Sequence, residues 1–298
     1  GCFNFSGLQL KQRGSNIILK QDRYIKGIRQ VPSVTPDGKL FARLRGQLSW
    51  CANSTRPDLS YYAAKLAQIR AEESSKSDMK FLRKAITLLK ARIIELKYHK
   101  LDPNTASLTV YTDAGFATNA DMTSQLGFIV LMTDESKKCV VLHWNSYKSR
   151  RVTRSVLGSE VYAFCDGMDV GISFRVALKQ LFGRELPLTM CTDSKSLFDT
   201  ITKRSQTAEK RLLIDLAAVR EAYKKREITN VAWVHSKYNL AELMTKLSRI
   251  ICWMKSSKPE FLITRLSSGL YNRHILAKKK TWECYGVCDV LPFIGSRE

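Results

Sequence analysis

VYTDAGFATNADMTSQLGF, residues 110–128, alternates apolar and polar residues up to Asp113, breaks at a stretch of small residues, and resumes as a second apolar run. This is the pattern of two strands with a short connection, and it leaves a carboxylate at the end of the first. A charged side chain there is costly to desolvate unless something pairs with it. Asp113 therefore either caps a turn or meets partners supplied by the rest of the chain.

Working outward, strands are expected over 108–116, 126–133 and 139–147, with connections short enough for an antiparallel meander. A long helix over 156–181 follows, then a strand LPLTMCT (186–192), a short helix SLFDTITK (196–203) and a charged helix over 208–226. A strand NVAWVH (230–235) and a last short helix NLAELMTK (239–246) close the series. Three strands followed by helix, strand, helices, strand and helix describe an α/β fold with a five-stranded mixed sheet and helices on its faces. Asp113 and Asp193 end strands, and Glu160 and Glu242 open helices. Strand ends and helix starts at one edge of such a sheet can converge. Clustered carboxylates raise one another's pKa, and a divalent cation relieves the repulsion. Magnesium suits the chemistry, since it takes oxygen ligands, keeps several waters and accepts phosphate oxygens.

Upstream, LQLKQRGSNIILKQ (8–21) reads as a hairpin turned at Gly14-Ser15-Asn16, followed by a short helix DRYIKGIRQ and the proline-containing loop VPSVTPDGK. Residues 41–70 read as helical on either side of STRPDLS, with Pro57 at a helix start behind the caps Ser54 and Thr55. Ser77 is expected to cap a helix over 78–97, whose apolar stripe runs Phe81, Leu82, Ala85, Ile86, Leu89, Ile93 and Leu96. LDPNTAS (101–107) is the expected boundary. It divides the chain into a helical region over 1–100, a mixed α/β domain over 101–247 and a basic tail over 248–298 of unknown role.

The net charge of +22 is unevenly placed. Residues 1–100 carry 20 Lys or Arg against 7 Asp or Glu, and 245–298 carry 10 against 4, whereas 101–244 carry 19 against 16. Basic flanks around a nearly neutral middle point to a polyanionic partner, and phosphate backbone is the commonest polyanion in a cell. Hydrophobic content of 44% and charged content of 26% suit a water-soluble globular chain. No apolar stretch reaches membrane-spanning length and no secretory signal opens the sequence, so an intracellular location and no membrane partner are expected. The eight cysteines lie mostly singly in apolar runs, which fits buried thiols in a reducing compartment. Cys284 and Cys288, with His274, match no common zinc spacing.

Four words in order, VYTDAGFA, HWNSYKSRRVTRSVLGSEVYA, TDSKSLFD and WVHSKYNLAELMTK, resemble the RNase H domain of copia-type LTR retrotransposon polyproteins. GLQLKQRGSNIILKQDRYI resembles the end of the reverse transcriptase segment, and RLRGQLSWCANSTRPDLSYYAAKLAQ resembles the connection that joins it to RNase H. The resemblance covers roughly residues 7–247 and implies an RNase H-like fold behind a smaller hairpin-plus-helices connection region. It also implies Mg²⁺-dependent hydrolysis of the RNA strand of RNA:DNA hybrids, with two ions expected and Mn²⁺ an alternative. By position it makes Asp113, Glu160 and Asp193 metal ligands. Glu242 stands where the family usually has Asp, and His235 would assist proton transfer or product release, unless it is simply a hydrogen-bonded strand-end histidine.

Lys148, Arg150, Arg151 and Arg154 are candidate phosphate contacts, with a solvated basic loop as the alternative. The sequence contains no paired aspartates of the YxDD kind, so no polymerase activity is expected. The chain resembles the C-terminal part of such a polyprotein, or a truncated copy, with the upstream reverse transcriptase region as a partner in a cytoplasmic particle or in the nucleus. Two alternatives remain. One is a catalytically degenerate remnant that binds nucleic acid, and the other is a resolvase- or integrase-like nuclease of the same fold, against which the upstream connection argues.

Overall fold

The amino-terminal hairpin is part of a larger antiparallel sheet. The computed structural model describes residues 1–31, 37–91, 94–136, 138–203 and 209–247. Here β1 (Cys2–Phe5), β2 (Leu8–Arg13), β3 (Asn16–Lys20) and β4 (Leu96–Tyr98) pair in the order β1-β2-β3-β4. Arg13 faces Asn16 across the turn, where Gly14 takes φ +58°, a left-handed conformation that residues with a Cβ rarely adopt. Four helices follow β3: α1 (Asp22–Gly27), α2 (Gly38–Ser54), α3 (Ser60–Ala67) and α4 (Lys76–Ala91).

Three upstream expectations are corrected. The helix expected over 78–97 does not reach 97, because Leu96–Tyr98 pairs with Ile17–Leu19 of β3; Ile93 of its expected stripe lies outside the described residues, and an apolar residue such as Leu96 that continues a helical stripe serves a short strand equally well. The cap of α4 is Ser75, not Ser77: Asp78 N donates to Ser75 Oγ at 3.2 Å and Ser75 N to Asp78 Oδ2 at 2.9 Å, a reciprocal capping box. Pro57 begins a 3-10 turn, Pro57–Leu59, but the residue ahead of it is Arg56, and Thr55 instead donates its hydroxyl to Gln21 Oε1 at 2.7 Å.

Arg56 is fully buried. Its guanidinium donates from Nε to Asp58 Oδ1 at 2.9 Å and from Nη2 to Asp58 Oδ2 at 2.8 Å, while Nη1 reaches Leu89 O at 2.7 Å. The pair thereby satisfies a carbonyl at the end of α4 and ties it to the turn between α2 and α3.

The second sheet has five strands, β5 (Ser107–Gly115), β6 (Gln125–Thr133), β7 (Cys139–Lys148), β8 (Leu188–Thr192) and β9 (Asn230–Trp233), in the order β7-β6-β5-β8-β9. The first three form the expected antiparallel meander, and β8 and β9 are parallel to β5. The helices are α5 (Val156–Phe182), α6 (Lys195–Thr202), α7 (Leu213–Lys224) and α8 (Glu242–Thr245). The five-stranded mixed sheet with flanking helices, preceded by a smaller region, is thus the architecture observed.

Alternation along the strands sends side chains to two different cores. Val110, Val130, Leu188 and Met190 pack with Phe164 of α5, Leu197 of α6 and Leu216 of α7. Tyr111, Ile129, Leu131, Val141, Trp144 and Cys191 point the other way, into a cluster with Leu44, Leu48, Leu59, Leu66 and Leu89 of the amino-terminal region. Both faces are covered, which is why the central strands read as nearly continuous apolar runs. Hydrogen bonds cross the same junction: Trp144 Nε1 donates to Ala52 O at 2.8 Å, and Lys65 Nζ to Thr118 O at 3.0 Å. No described helix is long and apolar enough to cross a membrane. Residues 248–298, including His274, Cys284 and Cys288, lie outside the described residues.

Candidate functional site

Parallel pairing of β5 with β8 sets Thr112 beside Thr192, so the next residues, Asp113 and Asp193, emerge side by side at the carboxyl ends of adjacent strands. This is the edge of an open α/β sheet at which ligands are bound. Glu160 arrives from α5, whose start is capped by Ser155 Oγ accepting from Gly158 N at 2.9 Å. Glycines draw that helix close to the sheet. A Cβ on Gly167 would lie 2.8 Å from Thr112 Cγ2, and one on Gly171 2.9 Å from Val110 Cγ2.

One oxygen from each of Asp113, Glu160 and Asp193 lies within 4.8 Å of the others. Asp113 is 1% exposed and Glu160 5%. Burial pushes Asp113 up to about 6, with Asp193 and Glu242 adding to the rise and Lys246 and Thr245 opposing it. Burial, followed by the charges of Asp113 and Asp193, holds Glu160 well above the usual carboxylate range. Glu160 Oε2 is buried without a hydrogen-bond partner. Three convergent carboxylates with an unsatisfied buried oxygen suit a hard divalent cation, which takes oxygen ligands and compensates the charge.

Glu242 opens α8 and is buried, but it lies outside that close group of three. Its Oε1 accepts from Lys246 Nζ at 2.8 Å, and the same ammonium lies 3.5 Å from Asp113 Oδ1. Burial pulls the Lys246 pKa down, yet Asp113 and Glu242 more than offset this and the net shift is upward. Thr245 donates its hydroxyl to Asp113 Oδ2. α8 can come this close because Gly127, paired with Asp113 across the strands, has no side chain: a Cβ there would fall 2.3 Å from Met244 Cβ. Asn239 completes the frame, donating to Thr112 O at 2.9 Å and Asp193 Oδ1 at 3.1 Å.

Asn239, Thr245 and Lys246 were not singled out by sequence reasoning, although all three lie in WVHSKYNLAELMTK. Their polarity just past a strand end, beside Glu242, was the available signal. His235 is exposed and its Nδ1 accepts from Lys237 N at 3.1 Å. Lys148 pairs with Asp121. Arg151 lies 3.2 Å from Asp215 Oδ1, with its guanidinium 5.0 Å from the Tyr162 ring centre. Arg150 and Arg154 are exposed. The basic loop is therefore partly engaged in ion pairs of the exposed kind, which are weak.

No family model matches the chain, and no curated protein matches it. Among solved structures, it is similar to LC11-RNase H1 in complex with an RNA/DNA hybrid, at 18% identity and a TM-score of 0.36, covering 46% of this chain and 93% of that one. It is also similar to the foamy viral protease-reverse transcriptase in complex with an RNA/DNA hybrid, at 12% identity and a TM-score of 0.48 over 82% of this chain and 30% of that one. The solution structure of the PFV RNase H domain matches at 13% identity and a TM-score of 0.34, covering 56% and 96% respectively.

Proposed function

We propose that the chain is a divalent-metal-dependent endonuclease that hydrolyses the RNA strand of RNA:DNA hybrids, as part of a retrotransposon reverse transcriptase polyprotein. The observation that carries this reading is the convergence of Asp113, Glu160 and Asp193 at one sheet edge, with Glu160 Oε2 buried and unpaired. Asp113, Glu160 and Asp193 would hold the ion, Mg²⁺ being the one suited to an all-oxygen set that also takes phosphate. When bound, divalent ions supply an activated water and neutralise charge on the scissile phosphate and the leaving oxygen.

The remaining work belongs to the protein. Asn239 fixes Asp193 against the end of β5, Thr245 orients Asp113, and the close packing of α5 on β5 holds Glu160 in place. The exposed Arg150 and Arg154, with Lys148 and Arg151 released from their ion pairs, would bind phosphates beside the cluster. A hybrid presents 2′-hydroxyls on one strand in a wide, shallow minor groove, which lets polar groups near the site tell RNA from DNA. His235, exposed at the end of the last strand, would act in proton transfer or product release.

A second reading is favoured by one observation: Glu242 is engaged with Lys246. On that reading the fold binds nucleic acid and no longer cuts. One experiment separates the two. The purified chain with an end-labelled hybrid and Mg²⁺ is expected to cut RNA, to spare duplex DNA and to stop on chelation. Asp113→Asn is expected to bind hybrid without cutting. Cutting by that variant at the parental rate would overturn the site, whereas a parent that binds and never cuts would establish the second reading.

A further inference from the structure

Both oxygens of Asp113 are engaged from the end of α8, Oδ2 by the Thr245 hydroxyl and Oδ1 by the Lys246 ammonium 3.5 Å away. Lys246 is the residue just past the helix, and its backbone N–H closes the last turn on Glu242 O. The extra methylene that Glu has over Asp carries the Glu242 carboxylate to Lys246 four residues on, at 2.8 Å. Asp113 and Glu242 are thus bridged by a monovalent cation belonging to the chain, at the Asp113 oxygen that Thr245 does not engage. The lysine side chain is 41% exposed, so it enters from the solvent side and has room to swing out.

We propose that the place the Lys246 ammonium fills between Asp113 and Glu242 is a second cation position beside the group of Asp113, Glu160 and Asp193, and that Lys246 is its built-in competitor. The inference rests on the reading that the cluster holds divalent ions. Asp113, Glu160 and Asp193 take one ion with Lys246 in place. A second ion shared by Asp113 and Glu242 binds only by displacing the ammonium, because a positive charge this close repels an incoming dication and occupies its ligands. The chain therefore binds one divalent ion well and a second weakly, and substrate phosphate, which also binds Mg²⁺, favours the doubly loaded form. Lys246 is a positioning residue on this account, since it acts through Glu242 and Asp113.

The test uses the full chain and Mn²⁺ alone, without nucleic acid, with bound ions counted by electron paramagnetic resonance and constants measured by calorimetry. The parent is expected to show one Mn²⁺ constant, and a second weaker by about tenfold or more. Lys246→Met keeps the length and apolar stem, and is expected to tighten the second constant on the order of tenfold while changing the first less. Lys246→Arg, which keeps the charge, should behave like the parent.

A measurement on the unmodified chain guards against a variant that fails to fold. The acetylation rate of Lys246, followed by mass spectrometry, is expected to rise as Mn²⁺ exceeds one equivalent. Unchanged second constants in a folded Lys246→Met, or an acetylation rate indifferent to Mn²⁺, would overturn the lysine's role and leave the first metal site intact. Failure of both parent and variant to bind any Mn²⁺ would remove the metal reading itself.

Discussion

Asp113 is 1% exposed and pushed up to about 6 by burial, with Glu160 displaced in the same direction. A carboxyl whose folded pKa lies above its unfolded value favours folding below the usual carboxylate range, and that contribution is lost as pH rises through about 6. Above that pH the ionised Asp113 therefore opposes folding, and a cation bound there would reverse this by mass action. The rise in Tm on adding Mg²⁺ is expected to be small below about pH 5 and to grow through pH 6 to 7, as thermal denaturation at matched ionic strength would show. A pH-independent increment would mean that these carboxylates do not meet the ion. The places of Asp113, Glu160 and Asp193 were legible because each sits where one periodicity gives way to another. Contacts of Asn239, Thr245 and Lys246 were not, since a polar side chain bonding to a strand end leaves no period in the sequence. The pairing of Glu242 with Lys246 depends on side-chain direction, which spacing permits but does not select.

At the level of elements, the distance of α5 from β5 is set by residues that have no side chain. Gly167 faces Thr112, Phe128 and Val110, and a methyl group there would meet Thr112 Cγ2 at 2.8 Å. Gly167→Ala is expected to destabilise the fold by about 1–3 kcal/mol through overpacking. The same displacement would shift Glu160, two helical turns earlier, and a shift of about 1 Å can lower the rate on the order of a hundredfold. Gly46 in α2 has open space around its Cβ position, so Gly46→Ala should stabilise by about 0.5–1 kcal/mol and leave the rate alone. Urea denaturation with hybrid cleavage measures both, and equal behaviour of the two variants would show that α5 does not rest on Gly167.

Element types were legible wherever the period was long. The expected 108–116, 126–133 and 139–147 became Ser107–Gly115, Gln125–Thr133 and Cys139–Lys148, and the helix over 156–181 became Val156–Phe182. Short strands were lost: β1 is exposed along its whole length, and β4 has three residues whose apolar member also fits a helix. Only the pairing partner decides such segments.

For the whole molecule, one face of the five-stranded sheet is covered by the amino-terminal helices. A fragment of residues 101–247 would bare Tyr111, Ile129, Leu131 and Trp144 together, and fully exposing each such side chain costs on the order of 1.5–3 kcal/mol. Weaker hybrid binding by that fragment would therefore confuse lost charge with lost fold. The role of the basic flank is better read in the full chain, at Lys76, Lys80 and Lys84, which are exposed on α4. If this face tracks the duplex away from the carboxylates, each lysine releases a counterion on binding, and log K falls with log salt by about 0.9 per phosphate on a duplex. Replacing all three with Gln leaves the buried stripe Met79, Leu82, Ala85, Ile86 and Leu89 untouched and should not move Tm. It is expected to weaken hybrid binding and to flatten the salt slope by about 2–3 units, measured by fluorescence anisotropy from low to moderate salt. An unchanged slope would place the substrate elsewhere, and the positive charge of residues 1–100 would then act only through the long-range field.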